Sequence, residues 1–352
     1  MSIIEVIVES SLKVGVLLGV VLTAVAYLVW AERKVSSWLQ DRIGPNRVGP
    51  AGLLQPLADG VKLLFKEDII PANAYRPFYI LAPMLALISA LAAFAVIPFS
   101  TGFELFGRQV GLWVADLNIG ILYVLAVGSL SVYGLMLGGW ASGSKYSLLG
   151  GLRASAQVIS YELALGFSII GVIMVTGSFR LSDMAAQQAG GFWHWNAVTQ
   201  PLGFLVFFVA GFAETNRLPF DMPEAEPELV AGYHTEYSSM KFSMFFMAEY
   251  THMITVSALL TLLFLGGWHP PLLDLTTMGW STATVALMHL GIFCAKLAVM
   301  LFVFIWVRWT LPRFRYDQLM NLGWKALLPI ALFNIAWVGI GIALGFWGGF
   351  VS

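Results

Sequence analysis

The sequence predicts an all-α polytopic membrane protein, with about eight transmembrane helices, one interfacial amphipathic helix, and both termini on the outer, periplasmic side. Three observations predict it. Of the 352 residues, 59% are hydrophobic and only 11% charged, whereas a soluble protein carries about 25% charged residues. The apolar residues gather into eight runs, most of them near the roughly 20 residues that a helix needs to cross the hydrocarbon layer. Lys and Arg gather on alternate connections between those runs, and that asymmetry sets orientation.

The runs fall at 11–31, 77–99, 112–138, 156–177, 198–214, 241–267, 283–308 and 325–350, in what reads as one integral membrane domain without an internal repeat. Before the first run, Glu5 and Glu9 stand where a secretory signal has its basic region, and no small-residue cleavage site follows, so the run is expected to be retained. After it comes the turn sequence Gly44-Pro45-Asn46-Arg47-Val48-Gly49-Pro50. Next, Leu53, Leu54, Leu57, Val61, Leu64 and Phe65 recur at helical spacing among Asp59, Lys62 and Lys66, which predicts a helix lying along the interface. On residues alone, this inner loop is either a positive-inside anchor or something more.

The third run has no acid in its core, Asp116 standing at its outer end, and offers the hydroxyls of Ser129 and Ser131. The fourth run contains Glu162. The fifth is short and ends on Glu214, so it either tilts little or leaves its carboxylate below the membrane surface. Glu249 lies in the sixth run with His252 one turn on, and Lys296 lies mid-way along the seventh. A charge at mid-bilayer costs about 2.5–3.5 kcal/mol on insertion scales, so these groups are expected to face protein or water, as a proton path or as structural ion pairs. Snorkelling is open to Glu162, and Lys296 has the option of a carboxylate partner.

With the N-terminus outside, the inner connections take fifteen of the nineteen Lys and Arg, among them Arg33, Lys62, Arg153, Arg217 and Arg313, while Lys13, Arg108 and Arg180 fall outside. Acids do not set orientation, yet the inner loop at 213–241, AETNRLPFDMPEAEPELVAGYHTEYSSMK, carries Glu214, Asp221, Glu224, Glu226, Glu228 and Glu236. Composition alone favours a solvated acidic loop. Its Pro, Phe, Leu and Tyr content argues instead for a packed segment, in which neighbouring carboxylates raise one another's pKa and hold protons.

Other classes of chemistry recede. The single cysteine, Cys294, makes neither an intrachain disulfide nor a thiolate set for an iron–sulfur cluster or zinc. No metal, flavin or cluster is therefore expected in the chain. A net charge of −1 gives no footprint for nucleic acid. His194, His269 and His289 lack metal-ligand spacing and read as packing residues, and the Trp and Tyr content suits interfacial belts.

The segments ERKVSSWLQDRIGPNRVGPAGLLQPLADGVKLLFKED and AETNRLPFDMPEAEPELVAGYHTEYSSMKFSMFFMAEY resemble the two signature segments of the membrane-embedded H subunit of respiratory complex I (NADH-quinone oxidoreductase), the NADH dehydrogenase subunit 1 family. The resemblance covers essentially the whole chain. It implies a quinone chamber whose mouth and neck take Arg33, Trp38, Asp59, Lys62 and Phe65. It also implies an acidic loop with Glu214, Arg217, Asp221, Glu224, Glu226 and Glu228, and a carboxylate path beginning at Glu162 and Glu249 near Arg153. The substrate implied is ubiquinone or menaquinone. The partners implied are peripheral quinone-site and iron–sulfur subunits, small membrane subunits and antiporter-like subunits; length and composition favour a bacterial inner membrane over a mitochondrial one. The homologous membrane component of a ferredoxin-driven hydrogenase complex is the nearest rival, and a stand-alone ion transporter is a more distant one.

Overall fold

The computed structural model describes residues 3–105, 108–224, 226–272 and 280–346. Helix α1 (Ile3–Leu39) leads through a turn to α2 (Gln55–Phe65) and α3 (Arg76–Ala92). A hairpin of β1 (Phe103–Leu105) and β2 (Arg108–Val110) follows, then α4 (Gly120–Ala141) and α5 (Lys145–Thr176). The short helices α6 (Leu181–Ala186) and α7 (Asn196–Thr199) precede α8 (Pro201–Glu214). The chain ends with α9 (Glu226–Leu229), α10 (Ser239–Phe264), α11 (Thr282–Thr310), α12 (Tyr316–Asn321) and α13 (Leu328–Ala343), the last two joined by a π-turn at Leu322–Leu327.

Among the described residues, seven helical segments are long and apolar enough to cross a membrane, α12 to α13 counting as one; the fifth predicted run folds as the shorter apolar helix α8. Pro201 opens α8 at its first turn, where a missing N–H costs nothing. Its 14 residues span only about 21 Å, against a hydrocarbon layer of roughly 30 Å. Helix α8 runs beside the middle of α5: Gln200 donates to the Gly171 carbonyl near one end, and Gln157 donates to the Ala213 carbonyl at the other. Glu214 is therefore set well in from the end of α5 that begins at Lys145.

The connections sort into two ends. Tyr75 donates to Ala141, Ile69 to Ser238, and Phe314 to Pro219, so the loops after α1, α4, α8 and α11 share one end. At the other, Ile121 donates to Phe179, Phe192 to Pro271, and Ser100 to Ala286. Helix α10 stands at the centre: 78% of its most apolar stretch is buried, against 17% for α1 and 22% for α11. The outer helices leave their apolar faces to lipid.

The structure departs from the sequence reading in four spans. Helix α1 continues through the charged Glu32-Arg33-Lys34, because Glu32 and Arg33 are both paired. The third run begins eight residues late, at Gly120, the chain from 111 to 119 forming bends and turns; before it lies a hairpin where no strand was expected, Phe103 to Leu105 pairing antiparallel with Val110 to Arg108. The fourth and eighth spans begin earlier, at Lys145 and Tyr316.

Candidate functional site

A cavity of about 500 Å³ lies between α1, α2, α10 and the end of α11. Along α1 its lining changes from apolar (Leu22, Val25, Ala26, Val29, Trp30) to charged and polar (Glu32, Arg33, Ser36). Ser36 stands fourteen positions along from Leu22, which is about 21 Å of helix. Phe242, Phe246, Met247 and Tyr250 of α10 form the facing wall.

Helix α2 closes one side. Its outward residues Leu57, Leu64 and Phe65 are 68%, 63% and 87% exposed, which suits a helix lying in the interface. Its inner edge is pinned by Asp59, whose Oδ2 accepts from Arg33 Nη1 at 2.7 Å and whose Oδ1 accepts from Gln55 at 3.1 Å and Lys62 at 3.3 Å. Partial burial pushes the Asp59 carboxyl up, but Arg33, Gln55 and Lys62 together hold it below its usual value. Arg33, Asp59 and Lys62 line the cavity; Trp38, 72% exposed, and Phe65 do not.

At the charged end sits a buried ion cluster. Arg217 Nη1 donates to Glu32 Oε1 and Oε2 at 3.0 and 2.9 Å, and its Nε lies 2.5 Å from Glu249 Oε1. Arg308 makes a second pair with Glu32, and the Arg217 guanidinium lies 4.1 Å from the centre of the Tyr250 ring. Two carboxylates and two guanidiniums balance, as buried charge requires. Sequence reasoning missed Glu32, Arg308 and Tyr250.

The acidic loop is packed, which corrects the solvated reading that composition favours. Thr215, Arg217, Phe220, Asp221, Met222, Leu229, Tyr233, His234 and Tyr237 are buried. Tyr237 stacks on Tyr79 of α3 at 4.1 Å between ring centres and donates to the Tyr79 carbonyl at 3.1 Å. Gln157 Nε2 also reaches the Phe220 carbonyl at 2.6 Å. Bare backbones let the loop lie against α5, since a Cβ on Gly150 would stand 2.6 Å from Tyr233 N. Arg153 pairs with Glu228 at 2.6 Å, and Arg313 with Asp221 at 2.7 Å. Glu224 lies 3.8 Å from His234 Nε2. The Glu226 side chain falls outside the described residues.

Burial raises the Asp221 carboxyl, Glu224 adds to the rise, and Arg313 opposes it. Burial lowers the His234 imidazole to about 4, with Glu249 opposing. A depressed histidine contributes stability that is present above its ordinary value of about 6.5 and lost as pH falls towards the folded-state value. The raised Asp221 has the opposite sign in an overlapping window, so a difference measurement isolates the histidine. The excess hydrogen-exchange protection of residues 215–237 in wild type over His234→Gln should shrink as pH falls from about 6.5 towards 4; a constant excess would refute it.

The remaining carboxylates come together behind the cluster. A cavity of about 30 Å³ lies between Glu214 and Glu249, lined also by Ser131, Asn216, Tyr233 and His252. One water needs only about 10–15 Å³ on this measure. Gly128 of α4 leaves the other side of Glu214 open, since a Cβ there would stand 3.6 Å from Glu214 Oε1. Glu162, partly buried on α5, is near enough to act electrostatically on Glu214. Of the two candidate hydroxyls on α4, Ser131 reaches this cavity, whereas Ser129 donates to Ala126 of its own helix.

Lys296 stands apart at the opposite end. Instead of a carboxylate it meets the carbonyls of Leu265, Gly267 and His269 at 2.6, 3.0 and 2.6 Å, with the Trp195 ring 4.2 Å away. Leu265 caps α10 and Gly267 and His269 lie in the turn beyond it, so the ammonium sits at the negative end of that helix.

A profile of the family described as NADH dehydrogenase matches residues 12–339. The chain is 50% identical over 341 residues to an H subunit of the NADH-quinone oxidoreductase of Cytophaga hutchinsonii, covering 97% of this chain and 98% of that protein. It is 54% identical over 327 residues to an H subunit of the Geobacter metallireducens enzyme, covering 93% and 94%. To the H subunit of the Thermomicrobium roseum enzyme it is 52% identical over 332 residues, covering 92% and 93%.

Proposed function

The chain belongs to the H-subunit family of NADH-quinone oxidoreductase, respiratory complex I, and from this premise we propose that the 500 Å³ cavity is its quinone chamber. The observation that carries the reading is the gradient along α1, apolar from Leu22 to Trp30 and charged from Glu32. A quinone has that same polarity, an apolar tail and a polar head. Trp30, Phe242, Phe246 and Tyr250 offer ring faces to the molecule, and Arg33, Asp59, Glu32 and Arg308 meet its head. Trp38 and Phe65, exposed beside the mouth, are placed to meet lipid or a neighbouring subunit.

The chain carries no electrons, having one cysteine; a cluster in a peripheral subunit supplies them. Reduction of the quinone, ubiquinone or menaquinone, to quinol takes up two electrons and two protons, and so changes the charge balance at the chamber's polar end. The packed acidic loop with Asp221, Glu224, Glu226 and Glu228 responds to that change. Glu249, Glu214 and Glu162 pass it on towards the antiporter-like subunits, with water in the small cavity bridging the first two. Complex I subunits and membrane lipid are the partners, and the bacterial inner membrane is the location, both termini facing the periplasm. Chamber and carboxylate row together favour this reading over a hydrogenase component, which has no quinone to house.

A short-tailed azidoquinone photolysed on the assembled complex tests the chamber. Label is expected in peptides covering 22–36 and 242–250, and excess unlabelled quinone should remove it. Label confined to other subunits would overturn the assignment.

A further inference from the structure

The network around Arg217 deepens this reading and rests on it. We propose that Arg217 is a positioning residue that holds a chamber carboxylate, Glu32, and a path carboxylate, Glu249, on one guanidinium, so that charge at either is felt at the other. Glu32 lines the chamber and Glu249 lines the small cavity, while Arg217 lines neither. The guanidinium is the partition between the two spaces, and it is only 4% exposed. Its contacts are divided: Nη1 donates to both Glu32 oxygens at 3.0 and 2.9 Å, and Nε makes an ion-pair contact with Glu249 Oε1 at 2.5 Å, out of line for a hydrogen bond. A planar fork with several donors can serve two acids at once, which a lysine ammonium on its flexible stem does less well. Tyr250 lies against the guanidinium face at 4.1 Å and fixes its plane. Arg308 holds Glu32 from the α11 side, so Glu32 is shared between two cations while Glu249 is gripped by Arg217.

The consequence is directional. Neutralising Glu32, by a proton or by a cationic group drawn towards the quinone head, leaves Arg217 wholly to Glu249. A proton passing through Glu249 is then held there less tightly. In a site screened from water, such a change is transmitted at close range with little loss.

The experiment uses complex I reconstituted in liposomes and reads protons pumped per electron, a ratio that slower turnover alone does not move. Glu32→Gln, Arg217→Lys and the double variant form a cycle, with Glu249→Gln as reference. Glu32→Gln is expected to lower the ratio severalfold in wild type and to have little further effect in the Arg217→Lys background. Equal effects in both backgrounds, or none in either, would overturn the proposal. If Arg217→Lys fails to assemble, the infrared carboxyl band that disappears in Glu249→Gln takes its place. That band should shift in Glu32→Gln, and an unmoved band counts against the partition. A full ratio in Glu249→Gln would overturn the path reading and this proposal with it; an uncoupled Glu249→Gln with an additive cycle would sink only the proposal.

Discussion

Glu214→Gln and Glu249→Gln, each in assembled complex I, are expected to lower proton pumping by about tenfold or more, since a positioned proton-transfer group typically contributes about 10²–10⁴-fold. Electron transfer to quinone should fall less. Glutamine keeps the shape of the side chain and its capacity for hydrogen bonds but cannot exchange a proton. The two variants differ in their cost to the fold. Among the described residues no cation pairs with Glu214, and its carboxylate faces Gly128 and a small cavity of mixed lining. Its replacement removes a charge that is expensive to bury, so assembly should be normal. Glu249 answers Arg217, and its loss leaves the cluster with one carboxylate against two guanidiniums. Removing one member of a buried pair is strongly destabilising, so less complex should assemble. Proton pumping with a pH-sensitive dye, normalised to quinone reduction, checks both; a full ratio in both variants would refute the path.

The largest structural effect is expected at Gly232. Its φ is +57°, and a Cβ there would overlap the Pro223 carbonyl oxygen. Left-handed backbone alone costs an L-residue about 1–2 kcal/mol, and backbone has to move as well, so Gly232→Ala should exceed about 3 kcal/mol, near the large end of single substitutions. The turn that seats Tyr233 and His234 against α5 would open and release the acidic loop. Native gels should show loss of assembled complex, and limited proteolysis should cut between α8 and α10. Gly166→Ala is the control, since nothing lies within 4 Å of a Cβ there. Its gain in helix propensity, up to about 1 kcal/mol, should leave assembly unchanged. Normal assembly and resistance to cleavage in Gly232→Ala would refute the account.

The spans were legible because lipid leaves so few ways to satisfy a backbone, and apolar length reads directly as helix. Glu162, Glu214 and Glu249 stood out for a related reason, as acids inside apolar runs. Glu32 did not stand out. It lies at the charged end of α1, and its partners are 185 and 276 residues away, a distance that no local pattern bridges. Lys296 was legible as a buried cation, but its partners are carbonyls at a helix end, and those depend on where the helix stops. The acidic loop misled by composition. Its acids suggest solvent, whereas its packing rests on Gly150, Gly232 and the Tyr79–Tyr237 stack, a matter of shape.

The shortness of α8 has an electrical consequence. A proton held at Glu214 has passed loop rather than the full depth of the membrane, so it sits part-way down the voltage drop. The missing length, about 9 Å of a roughly 30 Å layer, is at most about a third of the crossing. At about 2.3 kcal/mol per charge per 100 mV for the whole crossing, the occupancy of Glu214 shifts by up to ~0.7 kcal/mol per 100 mV. On the proposed path, the membrane potential would thus be felt at Glu214 itself, part-way along the row of carboxylates.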